Sequence, residues 1–202
     1  MASSVPTPES AKLDGRRQRS ADSRARIVAA MLELTREGCV SVSAEQVAAR
    51  AEVGLRTVFR LFKDMDSLYR EMSLIVEAEV RKAIILPYRT DHWRTRLDEL
   101  IERRAQVFER IAPHKRAGAA HRHRSPFLEE SHRAMVAELR GVLREVLPAD
   151  IAEDREKFEI LDLLMSFEAW SRLREEQGLG VEEARSLIVH AVAKLVDGSR
   201  AP

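Results

Sequence analysis

Val42-Ser-Ala-Glu-Gln-Val-Ala-Ala-Arg-Ala-Glu-Val-Gly-Leu-Arg-Thr-Val-Phe-Arg-Leu-Phe62 is the stretch on which the fold turns. Ser43-Ala-Glu-Gln46 has the form of a capping box, in which a hydroxyl and an amide satisfy each other's end of a first helical turn. That predicts a short helix over 43–51, and after Glu52-Val53-Gly54 a second over 55–62. Two short helices joined by a turn of three or four residues that holds a glycine form the helix-turn-helix pattern. Val47 and Ala51 share one face, small Ala48 lets the neighbouring helix approach closely, and Val53 fills the space beneath the turn. At the helical step, Val58 and Phe62 face inward with Leu55 and Leu61 at their margins, while Arg56 and Arg60 point the opposite way. A short exposed helix with two arginines on its outer face suits the major groove of DNA, where a guanidinium can bond guanine O6 and N7 together.

The composition around this stretch narrows the choices. The chain has 202 residues, a third of them charged and 45% apolar, with 34 Lys and Arg against 33 Asp and Glu. This is a globular balance, with enough apolar mass for a real core. The near-neutral total hides an asymmetry: residues 1–63 carry 11 basic and 7 acidic side chains, a net +4, and the remainder is net −3. No apolar run approaches the ~18 residues of a membrane span, and the N-terminus lacks the apolar core of a signal peptide. Cys39 stands alone, so neither an internal disulfide nor a CxxC zinc site is available. Its position after the first helix suits a small junction residue rather than a redox sensor.

Glycine and proline punctuate stretches rich in Ala, Leu, Glu and Arg, and no hairpin turn lies between alternating apolar residues. The expected fold is all-α. A disordered basic tail is expected over 1–22, a helix-turn-helix domain over 23–63 and a helical domain over 64–202. The first helix runs over about 23–37, with Ile27, Ala30, Met31 and Leu34 as its stripe and Gly38 as its C-cap. A long helix capped by Asp64 or Asp66 extends to about residue 85. Further helices are expected at about 91–112, 114–123, 127–146, 152–177 and 181–197. The last two are apolar over more than one face, which requires burial on more than one face. Another copy of the chain would meet the second face of each; burial inside a single domain is the alternative.

Other residues carry weaker signals. Glu129 and His132 have the Glu-x-x-His spacing of di-iron bundles, but such sites need a second motif and two further glutamates. No metal ligands, catalytic residues or cofactor are therefore assigned. There is no GxSxG, P-loop, HExxH or GxGxxG either. An internal cavity of the larger domain is expected between about residues 64 and 176, with Trp93, Phe108, Met135 and Met165 as apolar lining and His132 and Glu168 as polar anchors. Aromatic residues and methionines at helical spacing are also what an ordinary core contains.

Residues 23–70 resemble the DNA-binding domain of the TetR family of transcriptional repressors. The family pattern is close to [ST]-x-x-x-Ile-Ala-x-x-Ala-Gly-Val-Ser-x-x-Thr-Leu-Tyr-x-His/Tyr-Phe-x-x-Lys-x-x-Leu. Ser43, Val47, Ala48, Ala51, Val53, Thr57, Val58, Phe62 and Leu68 match it without gaps. The run Ser166-Phe-Glu-Ala-Trp-Ser-Arg-Leu-Arg-Glu-Glu-Gln-Gly-Leu-Gly180 is also similar to family members. Glu52 stands in place of the turn glycine, Gly54 of a serine, Phe59 of a tyrosine that bonds phosphate, and Met65 of a lysine that reaches phosphate; Lys63 is a substitute for the last.

The resemblance implies a cytoplasmic, homodimeric, non-enzymatic repressor whose paired recognition helices enter successive major grooves of a palindromic double-stranded operator. It further implies that a small apolar effector in the larger domain changes the separation of the heads and releases DNA. Ser43, Leu55, Arg56, Thr57, Phe59, Arg60 and Lys63 are the candidate DNA contacts, with Arg16, Arg17 and Arg19 in the tail as further possible ones. The dimer is expected through helices 152–177 and 181–197. Two alternatives stand beside this: a helical-bundle enzyme with a His/Glu metal site, and a DNA-binding regulator without an effector.

Overall fold

The computed structural model describes residues 8–198. All the regular structure among them is helical, as expected. The elements are α1 (Pro8–Arg36), α2 (Ala44–Arg50), α3 (Leu55–Leu61), α4 (Met65–Ile84), α5 (Trp93–Arg122), α6 (Pro126–Val146), α7 (Ala149–Ala152), α8 (Arg155–Leu164), α9 (Phe167–Ser171), a π turn at Arg172–Glu176, and α10 (Val181–Asp197). Among the described residues, no helix is long and apolar enough to cross a membrane.

Three expectations need correction. The segment 1–22, expected to be a disordered tail, is helical from Pro8 onward, while residues 1–7 lie outside the described residues. Helix nucleation is the costly step, and the buried part of α1 has already met it. Good helix formers such as Ala11, Lys12 and Leu13 then extend the helix. Gln18 Nε2 donates to Asp22 Oδ1 at 2.9 Å and the Ser23 hydroxyl to the Arg19 carbonyl at 2.9 Å along this extension.

The second correction joins what was expected to be two helices. α5 runs through Pro113 without ending. Proline removes one backbone donor and crowds the preceding turn, but burial on both sides of it, at Phe108, Ile111 and Ala117, holds the helix together.

The third divides what was expected to be one helix over 152–177. Asp154 caps α8, its carboxylate accepting from the Lys157 N–H at 3.1 Å. Ser166 caps α9, its hydroxyl accepting from the Ala169 N–H at 3.1 Å. Neither break carries a glycine or proline, so side-chain capping alone makes both.

The chain forms two compact units. The first comprises the described residues up to Leu74 together with Pro113–Leu128; the second comprises Ile75–Ala112 and the residues from Glu129 onward. The expected boundary at 63/64 therefore moves. The first turns of α4 belong to the smaller unit because Leu68, Tyr69 and Met72 are buried in its core with Ile27, Met31, Val47, Val58 and Phe62. Ala117 and Leu128 join the same core from α5 and α6, and the Tyr69 ring stacks on His121 with centroids 4.2 Å apart. The larger unit has its own core around Leu100, Phe108, Leu143, Phe158, Leu161 and Trp170. Full burial of such side chains stabilises each unit by ~1.5–3 kcal/mol apiece.

Candidate nucleic-acid interface and core cavity

The helix-turn-helix is built from its caps outward. Ser43 caps α2 as the sequence indicates: its N–H donates to Gln46 Oε1 at 2.8 Å and its hydroxyl accepts from the Gln46 N–H at 3.3 Å. α2 ends in a Schellman turn, with the Val53 N–H on the Ala48 carbonyl at 3.0 Å and the Glu52 N–H on Ala49 at 3.2 Å. This geometry demands a left-handed residue, and Glu52 supplies it at φ 53° where a glycine would be unstrained. α1 ends the same way with a glycine in that position: Gly38 has φ 99° and the Cys39 N–H reaches the Leu34 carbonyl at 3.0 Å.

α3 is held at both ends. The Thr57 N–H bonds the Gly54 carbonyl at 2.7 Å. At the other end Arg24 of α1 donates to the Leu61 carbonyl at 2.9 Å, lies over the Phe62 ring at 4.3 Å from its centroid, and pairs with Glu71. Arg50 ties α2 to α1 through two bonds to Glu37, at 2.9 and 2.7 Å. The Arg50 hydrogen bond holds the Glu37 carboxyl below the usual carboxylate range. Asp64 opens α4 by accepting from the Ser67 N–H at 2.8 Å, a bond that lowers its pKa.

With Val58 and Phe62 buried, α3 turns Leu55, Arg56, Phe59 and Arg60 outward; Lys63 just beyond it is exposed and Thr57 is half-buried at the edge. Ser43 is exposed at the start of α2. Arg24, Arg50 and Arg70 of this unit all have carboxylate partners. Among the described residues, Arg56 and Arg60 form no ion pair, while Lys63 acts on the adjacent Asp64 carboxylate only through its charge. Two unpaired guanidinium groups and the exposed Lys63 ammonium therefore share one edge with Phe59, whose exposure of 49% is high for an aromatic side chain. Arg17 and Arg19 are exposed on the N-terminal extension of α1, and Arg19 Nε donates to the Gly15 carbonyl at 3.0 Å.

The larger unit holds a small, partly open pocket of about 10 Å³, lined by Ile101, Arg104, Phe108, Met165, Ser166, Trp170 and Ile188. Two of the six expected ligand contacts, Phe108 and Met165, line it. Trp93 and Met135 belong to the surrounding core instead. Glu168 is exposed and His132 half-buried, and neither lines the cavity. Trp170, an aromatic residue that the sequence also offers as pocket lining, lines it too, and so does Arg104, which no motif singles out. Arg104 interrupts the stripe Leu97, Ile101, Phe108 of α5 at a position where the helical period requires an apolar residue. That irregularity is the signal by which it is legible.

Trp170 is fixed by its Nε1–H, which donates to Glu109 at 2.8 Å. Arg174 binds the same carboxylate at 2.8 Å. Elsewhere on this unit Leu163 and Leu187 are 63% and 48% exposed, and Ile160 is 39% exposed. Trp170 is buried and Leu164 and Phe167 are partly buried, so the second apolar face of 152–177 is largely covered within the unit, and the exposed part of it is Ile160 and Leu163. Among the described residues, no group of three or more His, Cys, Asp or Glu side chains comes together to hold a metal ion.

The backbone is similar to those of solved transcriptional regulators, several of them TetR-like. A transcriptional regulator from Rhodococcus sp. Rha1 superposes with a TM-score of 0.69 at 20% identity, over 88% of this chain and 98% of its own. A TetR-family transcriptional regulator from Streptomyces coelicolor gives 0.65 at 17% identity, over 89% and 82%. The multidrug binding protein EbrR, solved with imidazole, gives 0.58 at 17% identity, over 85% and 88%. At such identities the likeness establishes the fold. No protein-family model matches the sequence, and no curated protein matches it.

Proposed function

We propose that the chain is a TetR-family transcriptional repressor that binds a palindromic operator as a homodimer in the cytoplasm. The observation that carries this is the outer edge of α3, where Arg56 and Arg60 stand exposed without carboxylate partners, beside exposed Lys63, while the inner face is locked by Val58 and Phe62. A rigid helix with unpaired guanidinium groups is what base-edge recognition in the major groove requires. Lys63 and the hydroxyls of Thr57 and Ser43 lie toward the flanks, suited to phosphate, and Arg17 and Arg19 add positive charge on α1.

The dimer is assigned to Ile160 and Leu163 of α8 and Leu187 of α10, the exposed apolar side chains of the two helices expected to pair. Two-fold symmetry makes such an interface self-complementary and sets two recognition helices on related half-sites. An effector bound in the larger unit acts by binding the DNA-free and DNA-bound states unequally, since a ligand shifts an equilibrium only by its differential affinity. The solved complex of EbrR with imidazole is consistent with a small-molecule role for this fold.

The test is selection of binding sites from a randomised duplex pool by the full chain. An inverted repeat emerging from the pool supports the reading. A pool with no enriched sequence, or binding to all duplexes alike, contradicts it.

A further inference from the structure

The larger unit buries a positive charge that, among the described residues, no ion pair neutralises. Arg104 is 2% exposed. One terminal nitrogen donates to the Met165 carbonyl at 2.9 Å and the other to the Leu139 carbonyl at 2.6 Å. Its Nε–H is buried with no partner. The Met165 carbonyl is open to it because α8 ends there, so the break between α8 and α9 and the buried cation are parts of one arrangement. Asp162 is the carboxylate whose field reaches Arg104, but its oxygen is engaged by Arg140 at 2.6 Å. The Tyr88 hydroxyl, within electrostatic reach of Arg104, is likewise buried without a hydrogen-bond partner.

Burial lowers the Arg104 pKa to about 10, which leaves the side chain charged at neutral pH. A buried guanidinium without an anion is costly. Carbonyl dipoles offset part of that cost, and a carboxylate offsets far more because it matches the planar fork of donors. The rest of the cavity lining is Ile101, Phe108, Met165, Trp170 and Ile188, apolar and aromatic apart from Ser166.

Resting on the reading of this unit as an effector domain, we infer that its cavity takes a small monocarboxylic acid with an apolar body, the carboxylate received by Arg104. The free space is only about 10 Å³, room for one water molecule, so an acid of this kind enters only by displacing several lining side chains. Met165, unbranched and with three rotatable bonds, is the one best able to yield.

The experiment uses the DNA-free full chain and two matched pairs, phenylacetate with 2-phenylethanol and hexanoate with hexan-1-ol, read by thermal shift and titration calorimetry. The acid of at least one pair is expected to raise Tm and to bind about tenfold more tightly than its alcohol. Arg104→Met, close in length and suited to an apolar surrounding, is expected to fold and to lose that preference. Should Arg104→Met fail to fold, the acid-against-alcohol comparison on the unaltered chain decides. Equal binding of acid and alcohol overturns the inference, as does acid binding undiminished in Arg104→Met. Binding of none of the four compounds also overturns it and assigns the cavity to water. The readout involves no DNA, so failure of the repressor reading leaves this result standing, and DNA binding without an acid response overturns this inference alone.

Discussion

The Thr35 hydroxyl lies 2.6 Å from Nδ1 of His114, both groups buried in the smaller unit. Thr35 also donates to the Met31 carbonyl at 3.0 Å, which leaves its oxygen to accept from the Nδ1–H of a neutral imidazole. The pair joins α1 to the stretch of α5 that starts at Pro113, which is why this stretch belongs to the same compact unit as the helix-turn-helix.

Burial, with the charge of Arg36 second, holds the His114 pKa below its ordinary 6.5. The unfolded chain therefore binds more protons than the folded one as pH falls below 6.5, and stability declines from there down to the folded pKa. His121 is shifted the same way, chiefly by burial, and adds to the slope. Urea unfolding followed from neutral pH to pH 5 should show a falling midpoint, with a shallower fall in His114→Leu. Thr35→Val, which strands the imidazole N–H, should cost about 1–3 kcal/mol at neutral pH. A midpoint that rises on acidification contradicts the assignment of a buried neutral histidine.

Glu52 carries the left-handed conformation of the Schellman turn that ends α2. Glu52→Gly relieves a strain of about 1 kcal/mol, and the added flexibility of glycine in the unfolded chain offsets part of that gain. The urea midpoint should rise modestly with the m-value unchanged. A lower midpoint would show that the Glu52 side chain contributes more than its backbone conformation costs.

Leu163 and Leu187 are exposed in the single chain, so Leu163→Glu and Leu187→Glu should leave the fold intact and abolish pairing, because a carboxylate in an apolar interface is costly. Light scattering at micromolar concentration should give twice the chain mass for the unaltered protein and the chain mass for the variants, with unchanged circular dichroism. A monomeric unaltered chain contradicts the dimer.

The smaller unit was legible in the sequence wherever one residue type has one local use. Ser43 and Gln46 announce a capping box, Gly38 a left-handed cap, and Val58 and Phe62 against Arg56 and Arg60 an inside and an outside. Each rests on contacts a few residues apart. What was not legible depended on tertiary packing. Pro113 stays helical because residues on both sides of it are buried. The breaks at Asp154 and Ser166 rely on hydroxyl and carboxylate caps that also occur inside helices. The pocket follows the same division: apolar character marks Phe108 and Met165, whereas Arg104 shows in the sequence only as a charged break in an apolar stripe, its role resting on the Leu139 and Met165 carbonyls far away in the chain.

The central claim is that the outer face of α3 reads base sequence. Fluorescence anisotropy of Arg60→Ala and Lys63→Ala, on a selected duplex and on a random one over a salt series, tests it most directly. Base contacts discriminate while phosphate contacts mainly add salt-dependent affinity. Arg60→Ala should therefore lose about 1–3 kcal/mol on the selected duplex and much less on the random one. Lys63→Ala should weaken both about equally and lower the salt slope by roughly one unit per subunit. Equal loss on both duplexes for Arg60→Ala would mean that the helix grips the backbone without reading the bases, and would contradict the account.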